Sequence, residues 1–243
     1  DLVGDRLKLQ EARKLDLLIE EQEVASALAF GSTPLGIVPS GSGNGLARDL
    51  EVAKDAGRAI EDSLGATPRA IDAGELGGRL FFSVAGIGFD AHVAACFDRA
   101  AAGSRGLVGY AGITIRELLS YRPGNYRLTG DVERHAHGAL LVTLANSTQF
   151  GNGARIAPQA RLDDGRLDLV VFEEGSRLAT MCALPRLFTG GAARMRGLTM
   201  VPIAQIAIES DRPMTFHVDG EPVPGGARLE GRVHPSALLV AVR

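Results

Sequence analysis

The chain has 243 residues, 45% apolar and 23% charged, with a formal net charge of −3. That length buries a real core in one or two domains of a soluble globular protein. The mild acidity leaves no basic footprint for nucleic acid, and no apolar run approaches the ~18 residues that span a bilayer.

No signal-peptide pattern opens the sequence. Cys96 and Cys182 are isolated in apolar, helical-looking surroundings, so two buried thiols in a reducing cytoplasm are expected rather than a disulfide. Residues 1–16 are charged and weakly patterned, 16–19 read as a short buried strand, and 23–30 as an alanine-rich helix. After a turn at 31–34, the apolar run 35–38 is a second strand that Pro39 stops. Residues 40–45 alternate small polar residues with glycines, and 46–50 resume an apolar period near 3.6. A helix over 55–64, closed by Gly65 and Pro68, ends this βα region.

From Arg69 the texture changes. Residues 69–74 and 79–85 read as paired strands around a turn at 75–78, followed by helices over 91–101 and 110–120. Short strands then succeed one another at 126–130, 137–145, 167–172, 205–209, 214–218, 228–233 and 238–242, interrupted only by a helix over 176–188. Their spacing is that of a sandwich or barrel. The boundary between the two regions falls at 66–69.

Strand, glycine loop and helix together offer backbone N–H groups to an anion at a helix N-terminus. Glycines allow close approach, and Ser42 and Asn44 add side-chain donors. An ordinary turn into a capped helix has the same pattern. A Walker loop is excluded, because Lys8, Lys14 and Lys54 are the only lysines and none adjoins the loop. The dinucleotide fingerprint is excluded too, since its third glycine would be one residue early.

Two acidic clusters follow. Asp163-Asp164-Gly165-Arg166-Leu167-Asp168 is either an Asp-Gly turn or an oxygen-ligand site for a hard cation such as Mg²⁺. In His217-Val218-Asp219-Gly220-Glu221, an extended strand would point 217, 219 and 221 to one face and set two carboxylates in one cleft. A turn with exposed acids is the alternative there. Asp90 follows Gly86-Ile87-Gly88-Phe89 and could cap the next helix. The loop over 146–158 is polar and glycine-rich, as functional loops often are. The five histidines include no helical pair at metal spacing, and no serine stands in a nucleophile elbow.

Pro-Ser-Gly-Ser-Gly-Asn-Gly-Leu-Ala-Arg, residues 39–48, resembles the second nucleotide-loop motif of the diacylglycerol kinase and sphingosine kinase family of lipid kinases. Gly86-Ile87-Gly88-Phe89-Asp90-Ala91, Arg105-Gly106-Leu107-Val108-Gly109-Tyr110, the 146–158 loop, the 163–168 cluster and Val218-Asp219-Gly220-Glu221 resemble further blocks in the family's order. The resemblance implies an α/β nucleotide domain over 1–67 and a β-rich, sandwich-like lipid domain with a few helices over 68–243, the active site lying in the cleft between them. It implies ATP and Mg²⁺ as cofactors, with Ser42 on the ATP phosphates and Ser40, Gly41, Gly43 and Asn44 completing the loop. Asp164 matches the magnesium-ligand aspartate, with the backbone carbonyls of Arg161 and Arg166 beside it. Glu221 matches the general base, with Asp219 next to it, and Asp90 matches an acid that approaches the acceptor lipid. The lipid would be met at a membrane surface by a cytoplasmic, peripherally bound enzyme; a homodimer is left open.

The family's main ATP motif, Gly-Gly-Asp-Gly-Thr, should stand between the 16–19 strand and Glu23. Glu20-Glu21-Gln22 stands there instead. Two strands alone would leave both edges of a parallel sheet open, so residues are expected to be missing between Ile19 and Glu23, and before Asp16. A lipid kinase is the preferred reading. A lipid-binding relative without ATP, and a kinase of another hydroxyl acceptor such as NAD, are the alternatives.

Overall fold

The computed structural model describes residues 21–40, 44–98, 107–151, 153–173 and 175–243. The expected strand at 16–19, and Gly41, Ser42 and Gly43, lie outside the described residues. The first region contributes α1 (Glu21–Leu28), β1 (Leu35–Gly36), α2 (Gly45–Asp49) and α3 (Ala56–Gly65). Asp55 starts α3 by accepting the Arg58 N–H at 2.9 Å, which satisfies one orphan donor of the first turn.

The remaining strands are β2 (Arg69–Leu76), β3 (Arg79–Phe81), β4 (Val84–Gly88), β5 (Gly124–Gly130), β6 (Arg134–Ala145), β7 (Gln149–Gly151), β8 (Ala154–Arg155), β9 (Leu167–Glu173), β10 (Leu198–Ile203), β11 (Gln205–Glu209), β12 (Thr215–Val218), β13 (Glu221–Pro224) and β14 (Arg228–Ala241). Helices α4 (Phe89–Asp98), α5 (Leu107–Ser120) and α6 (Arg177–Ala183) interrupt them. All but the β7–β8 hairpin join one sheet, ordered β13-β12-β4-β6-β5-β11-β14-β2-β3, with β9 and β10 branching from β6 and β1 from β14. Every described pairing in it is antiparallel except β1 with β14.

The sheet curls until its ends meet. A methyl group at Gly77, in the β2–β3 turn, would stand 3.0 Å from the Phe216 ring on β12. The curl encloses Leu76, Phe81, Ile87, Leu128, Leu144 and Phe216, each contributing about 1.5–3 kcal/mol by burial. On the outer face, α4, α5 and α6 cover Val84, Leu140 and Val170 with Phe89, Leu118 and Ala183. Strand β9 is therefore apolar on both faces: Leu167, Leu169 and Val171 point inward, Val170 and Phe172 outward. A third cluster joins Ala25 and Leu50 of the first region to Ile71, Leu238 and Val240 of the sheet.

Several elements differ from the sequence reading. The single strand expected at 79–85 breaks at Phe82 and Ser83, into β3 and β4. The two strands expected at 228–233 and 238–242 are one strand, β14, with a bulge between His234 and Leu238. Strands β10 and β13 escape the sequence pattern because they carry Pro202, Pro222 and Pro224; both are edge strands, where a missing N–H costs no ladder bond. The helix over 176–188 tightens at Pro185 into a 3-10 turn, Leu184–Leu187. Cys182 is exposed and Cys96 only half-buried, so the two thiols are not the core groups that their apolar neighbours suggested.

Candidate functional site

The β12–β13 hairpin turns on Asp219 and Gly220, both left-handed at φ 50° and 97°. A two-residue turn with both φ positive matches the right-handed twist of its strands, and Asp-Gly adopts it readily. Held there, the Asp219 carboxylate reaches the β3–β4 break. Its Oδ2 accepts the Phe82 N–H at 2.8 Å, and its Oδ1 accepts those of Ser83 at 2.8 Å and Val84 at 3.0 Å. The Asp219 N–H returns to the Val84 carbonyl at 2.8 Å. Burial pushes the Asp219 carboxyl above its ordinary value, against the opposing pull of the three N–H groups and of His217.

The sequence reading that put 217, 219 and 221 on one strand face is corrected by this turn. Glu221 opens the returning strand, paired with Val218, and is half-buried. Asp219 sits at the bend, with both oxygens on backbone donors.

Beneath the hairpin lies a buried polar row. Asp90, 5% exposed, is in the first turn of α4. Its Oδ1 accepts the Ala91 N–H at 2.8 Å and its Oδ2 the Thr143 hydroxyl at 2.7 Å. His217 Nε2 lies 3.4 Å from the same Oδ2. Its Nδ1 accepts the Gly220 N–H at 3.3 Å, which leaves the ring proton on Nε2, facing Asp90. A side chain at residue 86 would forbid this: a Cβ on Gly86 would stand 2.1 Å from Asp90 Oδ2. Asp90 is thus engaged and enclosed, and it connects through His217 to the turn that precedes Glu221.

The described end of the glycine loop arrives at the same place. Asn44, left-handed at φ 47°, leads into α2. Helix α2 is fastened to the 146–151 loop by Asp49, whose Oδ2 accepts the Thr148 N–H at 2.6 Å and whose Oδ1 accepts the Thr148 hydroxyl at 2.7 Å and the Gln149 amide at 3.1 Å. A Cβ on Gly45 would lie 3.3 Å from Gln149 Cβ and 3.8 Å from Ser83 Oγ. Gln22 of α1 donates to the Leu80 carbonyl at 2.8 Å. Ser40 is exposed. Four buried oxygens, Gln22 Oε1, Asn146 Oδ1, Ser147 Oγ and Gln149 Oε1, have no hydrogen-bond partner among the described residues.

The 163–166 turn is built differently. Gly165 is left-handed at φ 70°, and exposed Asp164 accepts the Arg166 N–H at 3.0 Å through Oδ1. The turn is held from below by Asp72, 2% exposed, whose Oδ2 accepts the Gly165 N–H at 2.6 Å and whose Oδ1 accepts that of Ser236 at 2.7 Å. Arg161 and Arg166 are exposed, and the Arg161 guanidinium rests on Asp163 at 3.4 Å. Burial and the charge of Asp164 both push the Asp168 carboxyl up. The Asn146 amide donates at 2.9 Å to both the Asp72 and Phe82 carbonyls, which ties the foundations of the two Asp-Gly turns together. Asn146 opens the polar 146–158 loop that the sequence singles out, whereas Asp72 did not stand out in the sequence alone. A lone acid in the apolar run Ile71-Asp72-Ala73 was the available signal.

Two family models match the chain. Residues 83–242 match the YegS C-terminal NAD kinase beta sandwich-like domain, and residues 21–76 the diacylglycerol kinase catalytic domain. A Pseudomonas fluorescens protein named probable lipid kinase YegS-like is 31% identical over 90% of this chain and 73% of its own length. One of the same name from Pseudomonas syringae pv. tomato is 29% identical over 90% and 71%. The crystal structure of a diacylglycerol kinase from Bacillus anthracis superposes with a TM-score of 0.61 at 16% identity, covering 86% of this chain and 67% of that one.

Proposed function

The chain belongs to the family of YegS-like lipid kinases and is a kinase; from that premise we propose that it transfers the γ-phosphoryl group of ATP to a hydroxyl of a lipid such as diacylglycerol or a sphingoid base. The observation that carries this reading is the approach of Gly45, at the end of the glycine loop, to Ser83, whose N–H is held by Asp219 in the turn that leads into Glu221. Residues 1–67 form the nucleotide half, and residues 68–243 the acceptor half.

Phosphoryl transfer passes through a loose transition state, so the protein works by positioning and charge neutralisation. The glycine loop Ser40 to Asn44, of which 41–43 lie outside the described residues, is the segment assigned to the ATP phosphates, at the N-terminal side of α2. Glu221 orients the lipid hydroxyl and accepts its proton. Asp219 positions Glu221 by fixing the turn that precedes it, and Asp90 acts through His217 on the same turn rather than by touching the lipid. The orphaned oxygens of Asn146, Ser147 and Gln149 fit a polar ligand beside α2.

Asp164 and the carbonyls of Arg161 and Arg166 would supply Mg²⁺ with oxygen ligands, the kind that this ion takes. When bound, Mg²⁺ supplies positive charge that offsets this acidic cluster. Among the described residues no helix is long and apolar enough to cross a membrane. Ile115, Leu119 and Leu178 are exposed where α5 meets α6, flanked by Arg116 and Arg177, and this face is the one assigned to the lipid surface.

The test is transfer from labelled ATP to vesicles of diacylglycerol, sphingoid base or phosphatidylglycerol, with NAD as the non-lipid arm. Label should enter a lipid, and Glu221→Gln should slow it by about 10²–10⁴-fold at unchanged melting temperature. Label in NAD alone would replace the acceptor, and vesicle binding without transfer to any acceptor would select the non-catalytic reading.

A further inference from the structure

Helices α4 and α5 bring together three side chains that the kinase reading does not use. His92 and Cys96 are one helical turn apart on α4, hence on one face. Glu117 meets them from α5. Glu117 Oε2 lies 2.9 Å from His92 Nε2, Cys96 Sγ lies 3.7 Å from that same nitrogen, and all three ligand atoms fall within 4.8 Å of one another. Among the described residues this is the one group of three such side chains so closely set. The group holds one histidine and draws its carboxylate from the next helix, so no histidine pair marks it in the sequence.

The spacing has a chemical meaning. A tetrahedral zinc ion with bonds of ~2.0–2.3 Å to nitrogen, oxygen and sulfur holds neighbouring ligand atoms roughly 3.2–3.6 Å apart. His92 Nε2 is already within a few tenths of an ångström of that distance from both partners. An imidazole–carboxylate ion pair would account for His92 and Glu117, but it gives no reason for a sulfur on the same nitrogen. The ring is also oriented. His92 packs on Tyr121, with centroids 5.3 Å apart, and Tyr121 meets Phe89 edge-on at the same distance. The other Glu117 oxygen, Oε1, accepts from the Arg116 guanidinium at 2.9 and 3.0 Å, which leaves Oε2 turned to His92. The His92 side chain is 37% exposed, so an ion can enter and keep a water as its fourth ligand.

We propose that His92, Cys96 and Glu117 form a binding site for a thiophilic divalent cation of the zinc type, which fastens α4 to α5. A mixed sulfur, nitrogen and oxygen set selects such an ion over Mg²⁺, whose ligands are oxygens. The ion would pin the helix whose first turn holds Asp90. Binding releases the Cys96 thiol proton to solvent and changes no oxidation state.

The test titrates Co²⁺ into the reduced, chelator-stripped chain. One equivalent should bind with a sulfur-to-cobalt charge-transfer band and the intense visible bands of a tetrahedral ion, Zn²⁺ should displace it, and Zn²⁺ but not Mg²⁺ should raise the melting temperature. Cys96→Ser should abolish the charge-transfer band, while Cys182→Ser should leave it unchanged. Glu117→Gln, which keeps both helices' apolar contacts, should weaken Zn²⁺ binding by at least ~10-fold, the lower end of what even outer partners of a ligand cost. No thiolate band in the parent chain, a band that survives Cys96→Ser or one that vanishes with Cys182→Ser would each overturn the site.

Discussion

Asp164-Gly165 and Asp219-Gly220 are the same dipeptide in the same local role, and the fold uses them in opposite senses. At the β12–β13 hairpin the turn's own aspartate reaches out and gathers three N–H groups from a distant part of the chain. At 163–166 the turn's aspartate bonds its own neighbour, and a distant buried aspartate, Asp72, reaches in to take the turn's N–H. The turn chemistry is local; which carboxylate does the long-range binding depends on what the turn lands on. An acid in a turn therefore says little about function until its partners are known.

The sharpest way to break this contrast is Asp219→Ala. Stranding three backbone donors should cost about 3–5 kcal/mol, read as a fall in melting temperature of roughly 6–20 °C for a chain of this size, and it should depress turnover even at temperatures where the variant is folded. A melt like that of the parent would mean that the β3–β4 break needs no cap. Next comes Asp72→Ala, which strands the Gly165 and Ser236 donors. It should cost about 2–4 kcal/mol and speed amide exchange at Gly165 and Ser236, leaving the amides of Phe82 and Ser83 protected.

Asp164→Asn should change stability by less than about 0.5 kcal/mol without magnesium, since Asn-Gly suits the same turn. Under the cation proposal it should also remove any magnesium-dependent rise in melting temperature; identical magnesium titrations of parent and variant would leave Asp164 as a turn residue alone.

Glu75 supplies the smallest effect and a third kind of anchorage, by charged side chains rather than backbone donors. Burial raises its carboxyl, but hydrogen bonds from His234 and Arg232 outweigh this and leave it below the usual value. A carboxyl depressed in the folded state stabilises above its ordinary range, and that stability is lost as pH falls through the folded value. Glu75→Gln should thus lower stability by under about 1 kcal/mol at neutral pH and converge with the parent on acidification, which paired denaturant titrations at several pH values would resolve.

Much of the frame was legible because it rests on periodicity. Helix α3 and strands β9, β11 and β12 all follow from apolar spacing and turn residues. The failures are equally physical. Prolines hid β10 and β13, which only an edge position makes tolerable. The β3–β4 break could not be read from Phe82 and Ser83, because its cause is Asp219, more than a hundred positions away. A single residue whose partners are remote, such as Asp72, shows locally only as an acid in an apolar run, and its partners Gly165 and Ser236 cannot be read from it. The same holds for Cys96, which reads as a core thiol in its own helix and changes meaning only beside Glu117 of the next.

One pairing also orders events in time. Strand β1 lies parallel to the far end of β14, Leu35 beside Val240 and Gly36 beside Ala241, and the Phe30 N–H bonds the Ala237 carbonyl at 2.6 Å. These contacts close a loop of about 200 residues, the kind of non-local pairing that makes folding slow. A ribosome releases the chain from its N-terminus, so Leu35, Ile37, Leu46 and Leu50 emerge long before the strand that covers them. The first region must therefore wait, with its apolar residues uncovered, until β14 has been made, and nascent chains halted before Leu238 should be the ones most in need of a chaperone.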